Sequence, residues 1–170
     1  VFGTSSIAGD TSSKLVFAMQ VAEIISFDDY FSDMRFQYKK PVLNGSLKMM
    51  YGDNIYHTEH GVWQQADSHH SYENGETNQH NLARDTSSNN VLIATEFYYF
   101  GEKAFDIPED LVLDFCKKGP GRRKVCEEIA IKMLEFIRQH AKEIDSGNPS
   151  GFLGEPSKFK FSFERYNGVS

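Results

Sequence analysis

Val91-Leu92-Ile93-Ala94-Thr95-Glu96-Phe97-Tyr98-Tyr99-Phe100 is the clearest strand in the sequence, and Gly101 follows it. The stretch is rich in β-branched and aromatic residues. Alternation sends Phe97 and Tyr99 to one face, and Tyr98 and Phe100 to the other. Downstream, Val125, Ile129, Met133, Phe136, Ile137, Ala141 and Ile144 recur at helical spacing, which predicts a helix over Arg122–Ile144. Gly147-Asn148-Pro149 stops it. Together, strand and helix predict an α/β (α+β) fold: a small mixed or barrel-like sheet with flanking helices.

The rest of the chain is read outward from these two elements. Lys14 to Val21 is a short apolar run, expected as a buried strand. Ser26 opens a short helix carrying Phe27, Tyr30 and Phe31, with Asp29 three residues on as its capping partner. Lys40-Pro41 ends that region, and Asn44-Gly45 marks a turn. Val62-Trp63-Gln64 reads as a short strand. Pro108 suits the first turn of a helix running to about Cys116, and Lys117–Gly121 breaks the chain after it. Phe159, Phe161 and Phe163 alternate with polar residues, as in a half-buried strand. No repeat or linker divides the chain, so residues 1–170 are expected to form one domain. The chain opens without Met on Val1-Phe2-Gly3-Thr4, which reads as a strand entering a turn, and residues are expected before Val1.

Composition narrows the class of function. The net charge is −6, which excludes a protein that wraps long nucleic acid by a basic face. Aromatics make up 14% of the chain, favouring a sheet with aromatic-lined surfaces over a plain bundle. The two cysteines form no disulfide framework, no signal peptide is visible and no run of about 18 apolar residues exists. A cytoplasmic protein without a membrane span is therefore expected.

Residues 52–90 are polar throughout, yet they hold Tyr56, Trp63 and Tyr72, which simple disorder would lack. Five of the six histidines lie here: His57, His60, His69, His70 and His80. Their spacing matches no closed zinc motif, so no metal ligand or other cofactor is assigned. His57 or His70 suits a hydrogen-bonding or general-base role instead. Lys117 to Lys124 brings five cations around Gly119 and Gly121. Cations at the start of a helix oppose its dipole, so Lys118, Arg122 and Arg123 read either as a phosphate site or as a solvated charge run. Tyr98 and its neighbours read either as core packing, the commoner case, or as a platform for a base. Thr4 and Ser5, after the first strand, have the hydroxyls to line a pocket, as any tight turn would.

An ordered set of strings carries a resemblance. They are Leu15 to Val21, Phe27-Asp28-Asp29-Tyr30-Phe31, and Asp33-Met34-Arg35-Phe36 leading to Lys39-Lys40-Pro41. Gly52-Asp53-Asn54-Ile55-Tyr56, Trp63-Gln64, Ser68-His69-His70 and Asn78 to Leu82 follow. Asp85-Thr86, Val91-Leu92-Ile93, Tyr99-Phe100-Gly101 with Ala104, and Ile107-Pro108 complete the set. In that order they resemble the nucleotide modification associated domain family of bacteria and phages. The resemblance implies an association with systems that make, read or attack modified bases, and a further segment before Val1. A looser likeness to PUA-like barrels implies a pocket for a flipped or modified base.

Two classes of function are compatible with these residues. As a binding module, Trp63, Tyr98 or Tyr56 would stack on a base, Asp53, Asn54 and His70 would read its polar edge, and the basic turn would hold a phosphate. As an enzyme, Asp53 or Asp85 with His57 or His70 would supply acid–base chemistry for glycosidic cleavage or group transfer. A metal-dependent hydrolase using the histidines is the weakest alternative. The expected partner is a nucleotide or a modified base within nucleic acid, with a protein partner or the preceding segment as further candidates.

Overall fold

The computed structural model describes residues 1–5, 14–115 and 122–155. The expected Phe159–Phe163 strand, Cys116 and Lys118 lie outside those residues. The chain divides into two compact units, Val1–Ala22 with Ala94–Phe159, and Glu23–Ile93 with Lys160–Ser170.

The first unit holds a mixed, open sheet. Its strands are β1 (Phe2–Thr4), β2 (Lys14–Ile25), β5 (Val91–Tyr99), β6 (Phe105–Asp106) and β7 (Gly151–Phe152). The order is β1-β2-β5-β7, with β6 also paired to β2. β1 and β6 run antiparallel to β2, and β7 runs parallel to β5. Among the described residues the sheet does not close into the barrel that the looser likeness implies. Closure needs long strands tilted to meet edge to edge, whereas the edge strands here are three and two residues long. Both long strands, β2 and β5, have their last or first residues in the second unit, where the chain passes from one unit to the other.

Helices α3 (Glu109–Phe115) and α4 (Glu127–Ile144) complete the first unit. α4 buries Met133, Ile137 and Ala141, spaced by four residues on one stripe. Together with Leu15, Ala18, Tyr98, Phe100, Ile107, Leu111, Phe115 and Leu153 they form an entirely apolar and aromatic core. Each large side chain fully buried there contributes about 1.5–3 kcal/mol. The alternation expected along β5 holds, since Tyr98 and Phe100 are buried while Phe97 and Tyr99 are half-buried.

α4 begins at Glu127, five residues later than the hydrophobic spacing predicts. Its first turn carries Glu127 and Glu128, and its last carries Lys142. That arrangement suits the helix dipole at both ends. Arg122, Arg123 and Lys124 stay outside the helix, exposed.

The second unit is built from short elements. Ser26 caps α1 (Phe27–Ser32), its hydroxyl oxygen accepting from the Asp29 N–H at 3.0 Å and donating to the Asp29 carboxylate at 2.6 Å. A 3-10 helix over Met34–Lys39 follows, capped by Asp33. β3 (Tyr56–Glu59) and β4 (Val62–Gln65) form a hairpin closed by His60 and Gly61, both at positive φ. Two such residues make the turn that fits the strand twist. Asn78 caps α2 (Gln79–Asp85), accepting from the N–H groups of His80 and Asn81.

Ile55, Tyr56 and Leu82 form a small apolar cluster in this unit, with Phe27, Trp63 and Ala66 against it. The remaining interior is polar: Asn54, Gln65, Ser68, Ser71, Asn78 and Asn81 are buried. No helix among the described residues is long and apolar enough to cross a membrane.

Candidate functional site

Asn54 organises the approach to the site. Its side-chain amide is fully buried and donates to the carbonyl oxygens of Tyr30 at 2.9 Å and Phe36 at 3.2 Å. It thereby ties α1 and the 3-10 helix to the segment before β3. Gly52 allows the same two segments to touch, because a Cβ there would overlap the backbone of Lys39, Lys40 and Pro41. The Asn54 N–H donates to the Lys39 carbonyl at 3.2 Å, and the Val42 N–H to that of Met49 at 2.8 Å.

This close backbone approach shapes a cleft of about 230 Å³ lined by Tyr38, Lys39, Lys40, Val42, Met49, Tyr51, Gly52 and Asp53. Asp53 is held from two sides. The Tyr30 hydroxyl donates to one of its oxygens at 2.9 Å, and Lys39 Nζ lies 3.5 Å from the other. Burial, then the Asp53 charge, pushes the Tyr30 hydroxyl well above the ordinary tyrosine range, so it remains a donor. The Lys40 ammonium sits 3.5 Å from the centre of the Phe31 ring. Tyr38 is 79% exposed, with the Lys39 ammonium 5.9 Å from the centre of its ring. Tyr51 packs against His69, ring centres 4.2 Å apart.

A second polar centre lies deeper in the same unit. The Tyr56 hydroxyl donates to Asp85 at 2.8 Å and accepts from the Gln65 amide at 3.3 Å. Gln65 also donates to the His70 carbonyl and accepts from the Asn78 N–H. The Asn81 amide donates to that same His70 carbonyl at 2.9 Å. Burial raises the Tyr56 hydroxyl, with Asp85 adding to the effect. Burial lowers the His70 imidazole, with the Asp85 charge opposing. The Tyr56 phenol and the Asp85 carboxylate are thus joined directly, and the His70 backbone carbonyl is tied to them through Gln65.

The histidine-rich segment does not converge. His57 stacks on Phe31 with ring centres 3.9 Å apart and pairs with Glu59 at 3.3 Å. His60 makes the hairpin turn, and His69 meets Tyr51. Among the described residues no three of His, Cys, Asp and Glu are arranged to hold a metal ion.

Asp53, Asn54, Tyr56, His57, Trp63, His70 and Asp85 all fall in the second unit. Trp63 is half-buried, edge-on to Phe27 at 5.7 Å. Thr4, Ser5, Tyr98, Arg122 and Arg123 fall in the first. Thr4 ends β1, and the Ser5 hydroxyl accepts from the Lys14 N–H at 3.0 Å, which closes the β1–β2 connection. Tyr98 is 5% exposed, and its hydroxyl donates to Glu96 at 2.7 Å. The Arg123 guanidinium donates to the Leu113 carbonyl. Among the described residues Arg122 and Arg123 lie before the first turn of α4, which begins at Glu127. Tyr38, Lys39, Lys40 and Tyr51 were not among the residues the sequence singled out as binding groups. The available signal was a lysine pair beside tyrosine, immediately before Pro41, in an otherwise acidic stretch.

The family described as nucleotide modification associated domain 2 matches residues 1–162. No curated protein and no solved structure matches the chain.

Proposed function

The chain belongs to the nucleotide modification associated domain 2 family, and from that premise we propose that it binds a nucleobase or nucleotide in the cleft between Tyr38 and Asp53. The juxtaposition of two tyrosines, two lysines and one carboxylate around a single cleft carries this reading. Each component of a nucleotide meets suitable chemistry there. An aromatic ring stacks on a base for about 1–3 kcal/mol. Ammonium groups take a phosphate. The Asp53 carboxylate, oriented by Tyr30 and Lys39, accepts from the N–H groups of a base. A modified base is the ligand most in keeping with the family. Tyr56 and Tyr98 are buried, so the exposed Tyr38 is the stacking group here, and Tyr51, packed on His69, forms part of the cleft wall.

Binding is tested by titrating unmodified and modified nucleosides and nucleotides while following the melting temperature, which a specific ligand raises by mass action. Tyr38→Ala should lower the ligand affinity about tenfold, in line with one lost stack. An unchanged affinity in that variant would remove the cleft from consideration.

A second reading is favoured by the Tyr56–Asp85 bond and by the electrostatic influence of Asp85 on His70, whose imidazole burial holds below its ordinary value. This trio has the composition of an acid–base centre. Chromatography of a nucleotide before and after incubation separates enzyme from reader. Turnover that survives Asp85→Asn would exclude the trio.

A further inference from the structure

We infer that the cleft takes a free nucleoside 5′-monophosphate whose base carries an exocyclic amino group, and not a base flipped out of a duplex. The inference rests on the cleft being the nucleotide site, and it goes further by naming the ligand's charge, length and base edge.

Charge separates the free nucleotide from the polymer. Between Glu23 and Ile93 the chain carries ten Asp and Glu against five Lys and Arg. Arg35 is held by Glu23 at 2.9 Å and Asp33 at 2.7 Å, and Arg84 lies 2.9 Å from Asp85. Lys39 and Lys40 line the cleft, and Lys40 has no carboxylate partner among the described residues. The cleft itself therefore holds two cations against one carboxylate, within an acidic unit. Duplex DNA carries a charge about every 1.7 Å and is bound through a spread of cations. Ten carboxylates repel such a polyanion. One compact phosphate meets the local pair of lysines without running along the acidic surface.

The base edge follows from Asp53. An ionised carboxylate only accepts hydrogen bonds. Tyr30 and Lys39 hold it from two sides. An amino-bearing edge, as in cytosine, adenine or guanine, offers it donors. Thymine and uracil offer one N–H flanked by two carbonyl oxygens, which the carboxylate repels. A site built around a polar group rejects the base that leaves that group unpaired.

Calorimetric titration of the purified chain with dCMP, dAMP, dTMP, deoxycytidine and a short DNA duplex tests each part. The expected order is dCMP or dAMP tightest, deoxycytidine about tenfold weaker or more, dTMP weaker than dCMP, and duplex weakest. Lys40→Ala should cost the monophosphate about tenfold and cost deoxycytidine much less. Asp53→Asn should bring dCMP and dTMP to similar affinity, since an amide both donates and accepts. Equal affinity for dCMP and deoxycytidine, or tighter binding of the duplex, overturns the inference while leaving the cleft as a base site. Binding of none of the five, nor of 5-hydroxymethyl-dCMP as a modified-base probe, overturns the cleft reading itself and this inference with it.

Discussion

The two units solve the problem of an interior in different ways. The first packs rings and aliphatic chains from β2, β5, α3 and α4 around Phe100 and Met133, both fully buried. The second fills much of its interior with Asn54, Gln65, Ser68, Ser71, Asn78 and Asn81. Among the described residues every buried polar side chain belongs to it. Apolar packing is nondirectional and tolerates exchange of similar volumes. A buried amide network is directional, and each member fixes the position of the next. The unit with the less tolerant interior is the one that holds the cleft, where placement within a fraction of an ångström matters to a ligand.

Trp63 is the only tryptophan and lies in the second unit, so its fluorescence reports that unit, while α4 dominates the helical signal of the first. The largest expected effect is on the apolar side. Phe100→Ala should cost about 3–5 kcal/mol, read as a shift of the helical circular dichroism transition in denaturant. The Trp63 transition should move less. Equal shifts by both probes would mean that the units unfold as one block, and the contrast between their interiors would then have no separate energetic meaning.

A smaller effect is expected in the polar interior. Asn78→Ala removes the acceptor for the His80 and Asn81 N–H groups at the start of α2 and should cost about 1–2 kcal/mol by Trp63 fluorescence. Asn78→Asp, which keeps an acceptor in place, should recover most of that loss. An unaltered midpoint in the alanine variant would mean that the network is not specified by its cap.

The smallest effect concerns pH. Burial holds the His70 imidazole below its ordinary value of 6.5. Below that pH the unfolded chain binds the proton more readily than the folded one. The contribution of neutral His70 is therefore complete above about pH 6.5 and is lost as the pH falls through the window towards the depressed folded value. His70→Gln should flatten the acid side of the stability profile relative to the unaltered chain. Parallel profiles would show that other groups govern the acid transition.

The regular elements were legible where side-chain period is a local property. β5, the start of β2, the Ser26 cap and the buried stripe of α4 all follow from residues a few positions apart. The start of α4 was misread because the hydrophobic spacing extends back to Val125. The dipole that makes Arg122 and Arg123 awkward in a first turn explains why the helix waits for Glu127 and Glu128. Val62–Gln64 was readable as a strand, but its partner Tyr56–Glu59 was not, because His60-Gly61 is not the Asn-Gly or Asp-Gly pair that marks a two-residue hairpin turn. The polar stretch looked like a loop since Asn, Ser and Gln favour loops when exposed. Nothing in their order says that six of them are buried.

The sequence by itself determined the class of fold, the main sheet strands and the acidic balance that disfavours duplex binding. Period and composition are summed along the chain and need no partner. Only the tertiary structure decided that Asp53 meets Tyr30 and Lys39, that Gly52 brings Tyr51 to the lysine pair, and that Tyr56 meets Asp85 and Gln65. Those contacts join residues far apart in the chain, and their hydrogen bonds depend on distance and angle, which the order of residues does not encode locally.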